Sequence, residues 1–186
     1  MSRLTIYAVD AGELPSALRD TRDAAEIAGA LADIGVRFER WPAAAQLPLG
    51  AAPQAVLDAY VAEIDRLKGE GGYRTADVIR LPRGAPNGAE LRTKFLDEHT
   101  HGEDEVRFFV EGAGAFYLRP GDGNRVFRVI CERDDLISVP AGMRHWFDMG
   151  PDPEFAAVRL FTNESGWVAQ FTGDAIAKRV PGFDAA

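Results

Sequence analysis

Three histidines occur in the chain, His99, His101 and His145. Two of them stand in His99-Thr100-His101-Gly102-Glu103-Asp104-Glu105. Alternate residues of an extended segment face the same way, so His99 and His101 point together. Glu105 has matching parity if extension resumes after Gly102. Glu103 shares that parity and is the rival carboxylate, while Glu98 and Asp104 read as supporting or solvated groups. Two imidazoles and a carboxylate on one wall make half of a metal site. The third histidine follows a proline and a glycine in Val139-Pro140-Ala141-Gly142-Met143-Arg144-His145. A turn there, before a strand, folds His145 back over the first wall. Three imidazoles and one carboxylate leave positions open on an octahedral ion, unlike the closed tetrahedron of structural zinc. Such a donor set suits iron, nickel, cobalt, manganese or zinc, and cellular supply rather than affinity decides which is held.

The parity argument extends along the same run. Arg107 shares the face of Glu105, while Val106, Phe108 and Val110 face the other way. A guanidinium beside the metal would stabilise an anionic substrate through a charge-assisted, planar contact. The single cysteine, Cys131, lies in the apolar stretch Val129-Ile130-Cys131 and reads as a small buried hydrophobe.

The elements that must position these residues change character along the chain. In the first half, Leu4 to Val9 reads as a strand. Ala24, Ile27, Ala28, Leu31 and Ile34 recur at helical spacing and stop at Gly35. Val36 to Trp41 reads as a strand. Val56, Leu57, Tyr60, Val61, Ile64 and Leu67 form one helical stripe, with Pro53 before it and Gly69, Gly71 and Gly72 after it. Asp77 to Leu81 is a further strand and Ala89 to Phe95 a short helix. The second half predicts short β-runs: Val106 to Glu111, Ala115 to Arg119, Val126 to Cys131, Leu136 to Val139, His145 to Asp148 and Ala156 to Phe161. Gly112-Ala113-Gly114 and Pro120-Gly121-Asp122-Gly123-Asn124 separate the first three. Short strands at such spacing predict a sandwich or barrel.

The order His-x-His-x-x-x-Glu, then Pro-x-Gly-x-x-His, resembles the two cupin motifs. Gly112, seven residues after Glu105, fits that pattern and favours Glu105 over Glu103. More specifically, Lys94-Phe95-Leu96-Asp97-Glu98-His99 and Glu105 through Gly112 resemble the bacterial acireductone dioxygenase family of methionine salvage. So do Gly35 to Trp41, Asp135 to Pro140, His145 to Asp148, and Gly166-Trp167-Val168-Ala169-Gln170-Phe171. Nearly the whole chain takes part. Thr93 and Asp134 stand where the general cupin pattern has glycine, and Met149 where it has asparagine.

The resemblance implies a mainly β (α+β) fold: a cupin-type double-stranded β-barrel, or jelly roll, with N-terminal helices and strands packed on it. Residues 1–186 form a single cupin domain, with 1–90 as a mixed α/β flank and 91–172 as the metal-binding barrel core. The implied ligands are His99, His101, Glu105 and His145, holding one Fe2+ or Ni2+ per chain. The implied substrate is 1,2-dihydroxy-3-keto-5-methylthiopentene, cleaved with O2. Iron is expected to give formate and 4-methylthio-2-oxobutanoate, and nickel to give formate, carbon monoxide and 3-methylthiopropanoate. Arg107 is the expected catalytic residue. Phe95, Phe147 and Trp167 match aromatic positions that the family places near the substrate, with plain core packing as their alternative. The rival readings are a cupin sugar isomerase or epimerase and a non-catalytic metal-binding cupin.

Composition is consistent with such an enzyme. The chain has 186 residues, a net charge of −8 and a pI near 4.9. Its length suits one domain of about 100–200 residues. An acidic surface repels phosphate backbones and anionic lipid, so no nucleic-acid or membrane partner is expected. The N-terminus lacks the apolar run of a signal peptide, and no segment approaches the ~20 apolar residues of a membrane span. A cytoplasmic monomer is the expectation.

Overall fold

The computed structural model describes residues 1–9, 15–41, 47–121, 123–163 and 167–184. Asp122 of the expected turn and Gly166 of the family-like stretch lie outside them. Eleven strands and four α-helices are assigned among the described residues. In order these are β1 (Arg3–Ala8), β2 (Ser16–Thr21), α1 (Ala24–Ala32), β3 (Arg37–Arg40), α2 (Pro53–Ala59), α3 (Val61–Gly71), β4 (Thr75–Leu81) and α4 (Gly88–Phe95). There follow β5 (His99–Thr100), β6 (Glu105–Arg119), β7 (Arg125–Glu132), β8 (Asp135–Val139), β9 (Arg144–Asp148), β10 (Phe155–Phe161) and β11 (Gln170–Phe171). A 3-10 turn, Ala175–Lys178, comes last. None of these helices is long and apolar enough to cross a membrane.

The long strand β6 belongs to two sheets at once. Its first half pairs antiparallel with β8 and β10, and β3 and β4 extend that sheet at either side. Its second half pairs with β7 and β9, extended by β1 and β2 on one side and β5 and β11 on the other. The strands of the first half of the chain are therefore woven into both sheets. This is the double-sheet cupin architecture that the motifs imply.

The sequence predicts two strands divided at Gly112-Ala113-Gly114, but β6 runs through all three glycine-alanine positions without a break. The register with β10 shifts between Ala156 and Ala157, which marks a bulge at Val110 of β6. Gly112 has φ +61, and a Cβ there would lie 1.9 Å from the Glu154 carbonyl oxygen. Only glycine allows the two backbones to approach that closely. Across the bulge the inward face changes parity: Arg107 and Phe109 point inward before it, Phe116 and Leu118 after it. One strand thus lines the interior from both sheets.

Between the sheets lies a core of Leu4, Phe109, Phe116, Phe127, Val129 and Phe155, with α1 packed at one end through Ile27 and Leu31. Asp23 caps α1 by accepting from the Glu26 N–H at 2.9 Å. Cys131 is fully buried among these apolar neighbours, as read from the sequence. The outer face of the β8-β6-β10 sheet, including Val106, Phe108 and Val110, is covered by Val56, Tyr60, Ile64 and Leu67. Val56 comes from α2, Ile64 and Leu67 from α3 and Tyr60 from the junction, so there are two helices and not the one that the stripe predicts. Tyr60 has φ −113 and ψ 21 and ends α2 where α3 begins. Both halves keep the apolar side chains on the sheet, so periodicity alone does not reveal the break. The strand β2 is likewise not predicted, because its side chains are solvent-exposed and lack apolar alternation.

Candidate metal centre

His99 and His145 are directly opposed on β5 and β9, and His145 also pairs with Leu118 of β6. Glu105 opens β6 on the other sheet, so the group sits where the two sheets part. The turn after β8 is tied to the first motif: the Gly142 N–H donates to the His101 carbonyl at 2.9 Å, and the Met143 N–H donates to the Pro140 carbonyl at 3.1 Å. Gly142 takes φ +77, which lets that turn close. All four side chains are buried, and one potential ligand atom from each lies within 4.8 Å of the others.

The hydrogen bonds around the ring nitrogens fix the donor atoms. Nδ1 of His99 lies 2.7 Å from the Asp97 carbonyl, Nδ1 of His101 lies 3.1 Å from the Val168 carbonyl, and Nδ1 of His145 lies 2.8 Å from the Met143 carbonyl. A carbonyl can only accept, so each Nδ1 carries the proton and each neutral ring presents an Nε2 lone pair. The Nε2 atoms of His101 and His145 each stand 3.0 Å from Oε2 of Glu105. Lone pairs facing a carboxylate repel unless a cation lies among them. The arrangement therefore fits a divalent metal ion, and iron and nickel both accept such a mixed donor set.

Electrostatics agree. Burial, with the neighbouring His145 ring, pushes His99 down to about 4, so it stays neutral at physiological pH. For His101 burial opposes charge, but the hydrogen bond and charge of Glu105 outweigh it and raise the pKa, so the carboxylate draws positive charge to Nε2, whether a proton or a metal ion. Burial disfavours the Glu105 carboxylate, yet Arg107 and the two imidazoles hold its pKa well below the usual range. Glu105 is thus an anion wherever the protein is folded near neutrality.

Arg107 is buried at 4 % exposure on the same face as Glu105, with Nε 2.8 Å from Oε1. That contact is close but poorly aligned: Nε and Nη1 of Arg107 and Oε1 of Glu105 lack hydrogen-bond partners. The pair is an ion pair whose N–H donors remain unspent. The guanidinium carbon lies 4.4 Å from the Phe147 ring centroid and 5.6 Å from that of Trp167. Phe147 reaches this place because Gly114 has no side chain; a Cβ there would lie 2.2 Å from the ring.

These residues open onto a cavity of about 430 Å³. Phe95, Phe147 and Trp167 all line it, so they pack and face the site at once. Glu103 does not enter. Its carboxylate accepts from the Thr162 N–H at 2.9 Å, the Thr162 hydroxyl and Asn163 Nδ2. Glu98 is buried and accepts from Arg119 Nη1 at 3.1 Å and Thr172 Oγ1 at 2.8 Å, while Asp104 accepts from the Ala141 N–H at 3.0 Å. Lys94, Arg159, Ala169 and Phe171 also line the cavity and were missed from the sequence. Arg159 is the direct cross-strand neighbour of Arg107, a relation that needs the β6–β10 register to be seen.

A family model, the ARD/ARD' family, matches residues 5–169. The chain belongs to this family. ARD-family relatives are similar over nearly their whole length. An acireductone dioxygenase of Parvibaculum lavamentivorans is 58% identical over 184 residues, covering 99% of this chain and 98% of that one. The acireductone dioxygenase of Pseudomonas paraeruginosa is 59% identical over 181 residues, 97% of this chain and 98% of that one. Among solved structures, acireductone dioxygenase from Bacillus anthracis, with a cadmium ion in its active centre, aligns with a TM-score of 0.79 and 31% identity. That alignment covers 92% of this chain and 98% of the other. These likenesses establish the cupin fold of the ARD family for this chain and agree with the double-sheet topology.

Proposed function

We propose that the chain is an acireductone dioxygenase that cleaves 1,2-dihydroxy-3-keto-5-methylthiopentene with O2 at an ion held by His99, His101, Glu105 and His145. The observation that carries the reading is the buried Arg107 guanidinium, with unspent N–H donors beside this donor set, in a fold of the ARD family. An Fe2+ or Ni2+ ion held by these four residues would supply Lewis-acid and template chemistry for the enediolate. The chain's own residues do the remaining work. The three backbone carbonyls hold every imidazole with Nε2 inward. Arg107 offers Nε–H and Nη1–H to the anionic oxygens of the substrate, and its burial strengthens that contact. Phe147 and Trp167 shield the guanidinium from water, and with Phe95 they provide an apolar wall for the methylthio tail.

Steady-state oxygen uptake tests the reading, with chain loaded separately with iron and nickel. Both forms should consume oxygen with the enediol. The iron-loaded chain should give formate and 4-methylthio-2-oxobutanoate, and the nickel-loaded chain formate, carbon monoxide and 3-methylthiopropanoate. An active nickel form with no carbon monoxide in the headspace would defeat the product assignment. Absence of oxygen uptake by both forms would defeat the substrate assignment.

A further inference from the structure

The charges around the cavity balance in an uneven way. Apart from the histidines, its ionisable lining residues are Lys94, Glu105, Arg107 and Arg159. Arg107 is matched by Glu105 at 2.8 Å. Arg159 is matched by Asp77, which accepts from Nε at 2.8 Å and Nη2 at 2.6 Å. Lys94 is exposed and makes no ion pair or hydrogen bond among the described residues. It is the unmatched cation of the cavity wall. The protein as a whole carries −8. An anion approaching it meets a repulsive field, so a local positive charge at the opening has a large lever on capture.

Lys94 is held at that opening. It lies in the last turn of α4, next to Phe95, which lines the same wall. The helix is docked on β9 through Arg92, which donates to Asp148 at 2.7 and 3.0 Å, and through Leu91 against the core. The side chain therefore projects from a fixed backbone beside the cavity while its ammonium stays hydrated.

We propose that Lys94 is the entry cation of the site, which draws the anionic enediolate into the cavity and sets its capture rate without taking part in the chemistry. This rests on the reading of the substrate as an acidic enediol. The competing role for a last-turn lysine is to offset the helix dipole, which cations there stabilise. That role would alter thermal stability and leave capture alone, so the two are separable.

The experiment is steady-state oxygen uptake by the full metal-loaded chain, with metal content and Tm measured on the same samples. At low salt, Lys94→Gln should lower kcat/KM by about three- to tenfold with kcat and metal content unchanged, the scale expected for one charge at a partly solvated opening. Raising salt from about 10 mM to about 300 mM should depress the wild-type kcat/KM and leave that of Lys94→Gln nearly flat. Lys94→Glu should fall further than Lys94→Gln, and Lys94→Arg should stay near wild type. An active wild type with the same kcat/KM and salt slope in Lys94→Gln would overturn the entry role alone. A wild-type chain that consumes no oxygen with the enediol would overturn the substrate reading, and the entry role with it.

Discussion

Oε2 of Glu105 lies 3.0 Å from Nε2 of His145, although 40 residues separate them in the chain. The same oxygen lies 3.0 Å from Nε2 of His101. One carboxylate oxygen facing two imidazole nitrogens, each with its other nitrogen committed to a carbonyl, is a geometry that a cation completes. The sheets create it: β5 and β9 bring His99 and His145 together, and β6 carries Glu105 in from the neighbouring sheet.

Metal content follows directly. Purified chain should hold close to one transition-metal ion, and His101→Ala or His145→Ala should lose most of it. Each substitution removes a donor and leaves the others short of a full set. Elemental analysis measures the ratio, and circular dichroism checks that the fold persists. Full occupancy in both variants would place the ion elsewhere.

Arg107 is separable from the ion because a guanidinium stays protonated and cannot ligate a cation. Arg107→Ala should keep the metal while kcat/KM falls by roughly ten- to two-hundred-fold, the worth of one buried charge-assisted hydrogen bond of about 1.5–3 kcal/mol. Arg107→Lys should recover only part, because an ammonium lacks the planar fork that lies against Phe147. The loss of Arg107 also removes the chief charge that holds the Glu105 pKa down. Metal retention by Arg107→Ala should therefore weaken first at acid pH. Near-normal turnover of Arg107→Ala would remove the residue from the chemistry.

Asp134 offers a stability test away from the site. It is the non-glycine residue with positive φ among the described residues, at +79, and it stands where the general cupin pattern has glycine. Its Oδ1 lacks a hydrogen-bond partner and faces Arg133 Nε at 3.7 Å, a long ion-pair contact. A left-handed conformation costs an ordinary L-residue about 1–2 kcal/mol, less for aspartate, and glycine pays no such penalty. Against this stands the greater freedom of glycine in the unfolded chain. Asp134→Gly should stabilise the protein by about 0.5–1 kcal/mol, or about 1–4 °C in Tm. A lower Tm would mean that the aspartate side chain contributes more than its backbone strain costs.

The metal group was legible because every histidine in the chain falls in it, and because parity places His99, His101 and Arg107 together. Legibility ended where tertiary context decides. Gly112-Ala113-Gly114 reads as a break between strands, yet in the fold it is continuous strand, just past a bulge at Val110, that carries β6 from one sheet into the other. Tyr60 ends a helix without glycine or proline, so its stripe reads as continuous. The strands β5 and β11 have two residues each, too few for any pattern. Arg159 faces the cavity through a register that no local signal reveals. Glu103 and Glu105 share parity; the spacing to Gly112 favours Glu105 in the sequence, and the donors Thr162 and Asn163 around Glu103 give that choice its structural reason.

The pairing of Arg92 with Asp148 links stability to the site and gives a pH signature. The Asp148 carboxylate accepts from Arg92 Nε at 2.7 Å and Nη2 at 3.0 Å, from the Gly150 N–H at 2.9 Å and from the Phe183 N–H at 3.0 Å. Burial raises its pKa, but the Arg92 and backbone hydrogen bonds outweigh burial and hold it below the ordinary value of 3.8. A carboxylate depressed in the folded state stabilises the protein above its unfolded pKa. That contribution is lost as pH falls through the lower folded value. Asp148→Asn keeps the shape but offers one acceptor oxygen where the carboxylate has two, and it leaves a charged guanidinium facing a neutral amide. It should cost about 2–4 kcal/mol at pH 7, below the full figure for a buried pair because Arg92 is partly exposed. The deficit should shrink as acid protonates the wild-type carboxyl, so the two stability curves converge as pH falls below 3.8 and through the lower folded value. Because this pair docks α4 on β9, the variant should also raise KM through Phe95 and Lys94 while its metal content holds. Urea unfolding at neutral and acid pH, with oxygen uptake at neutral pH, measures both effects. Parallel stability curves across that range would show that the carboxylate charge contributes nothing to the docking of α4.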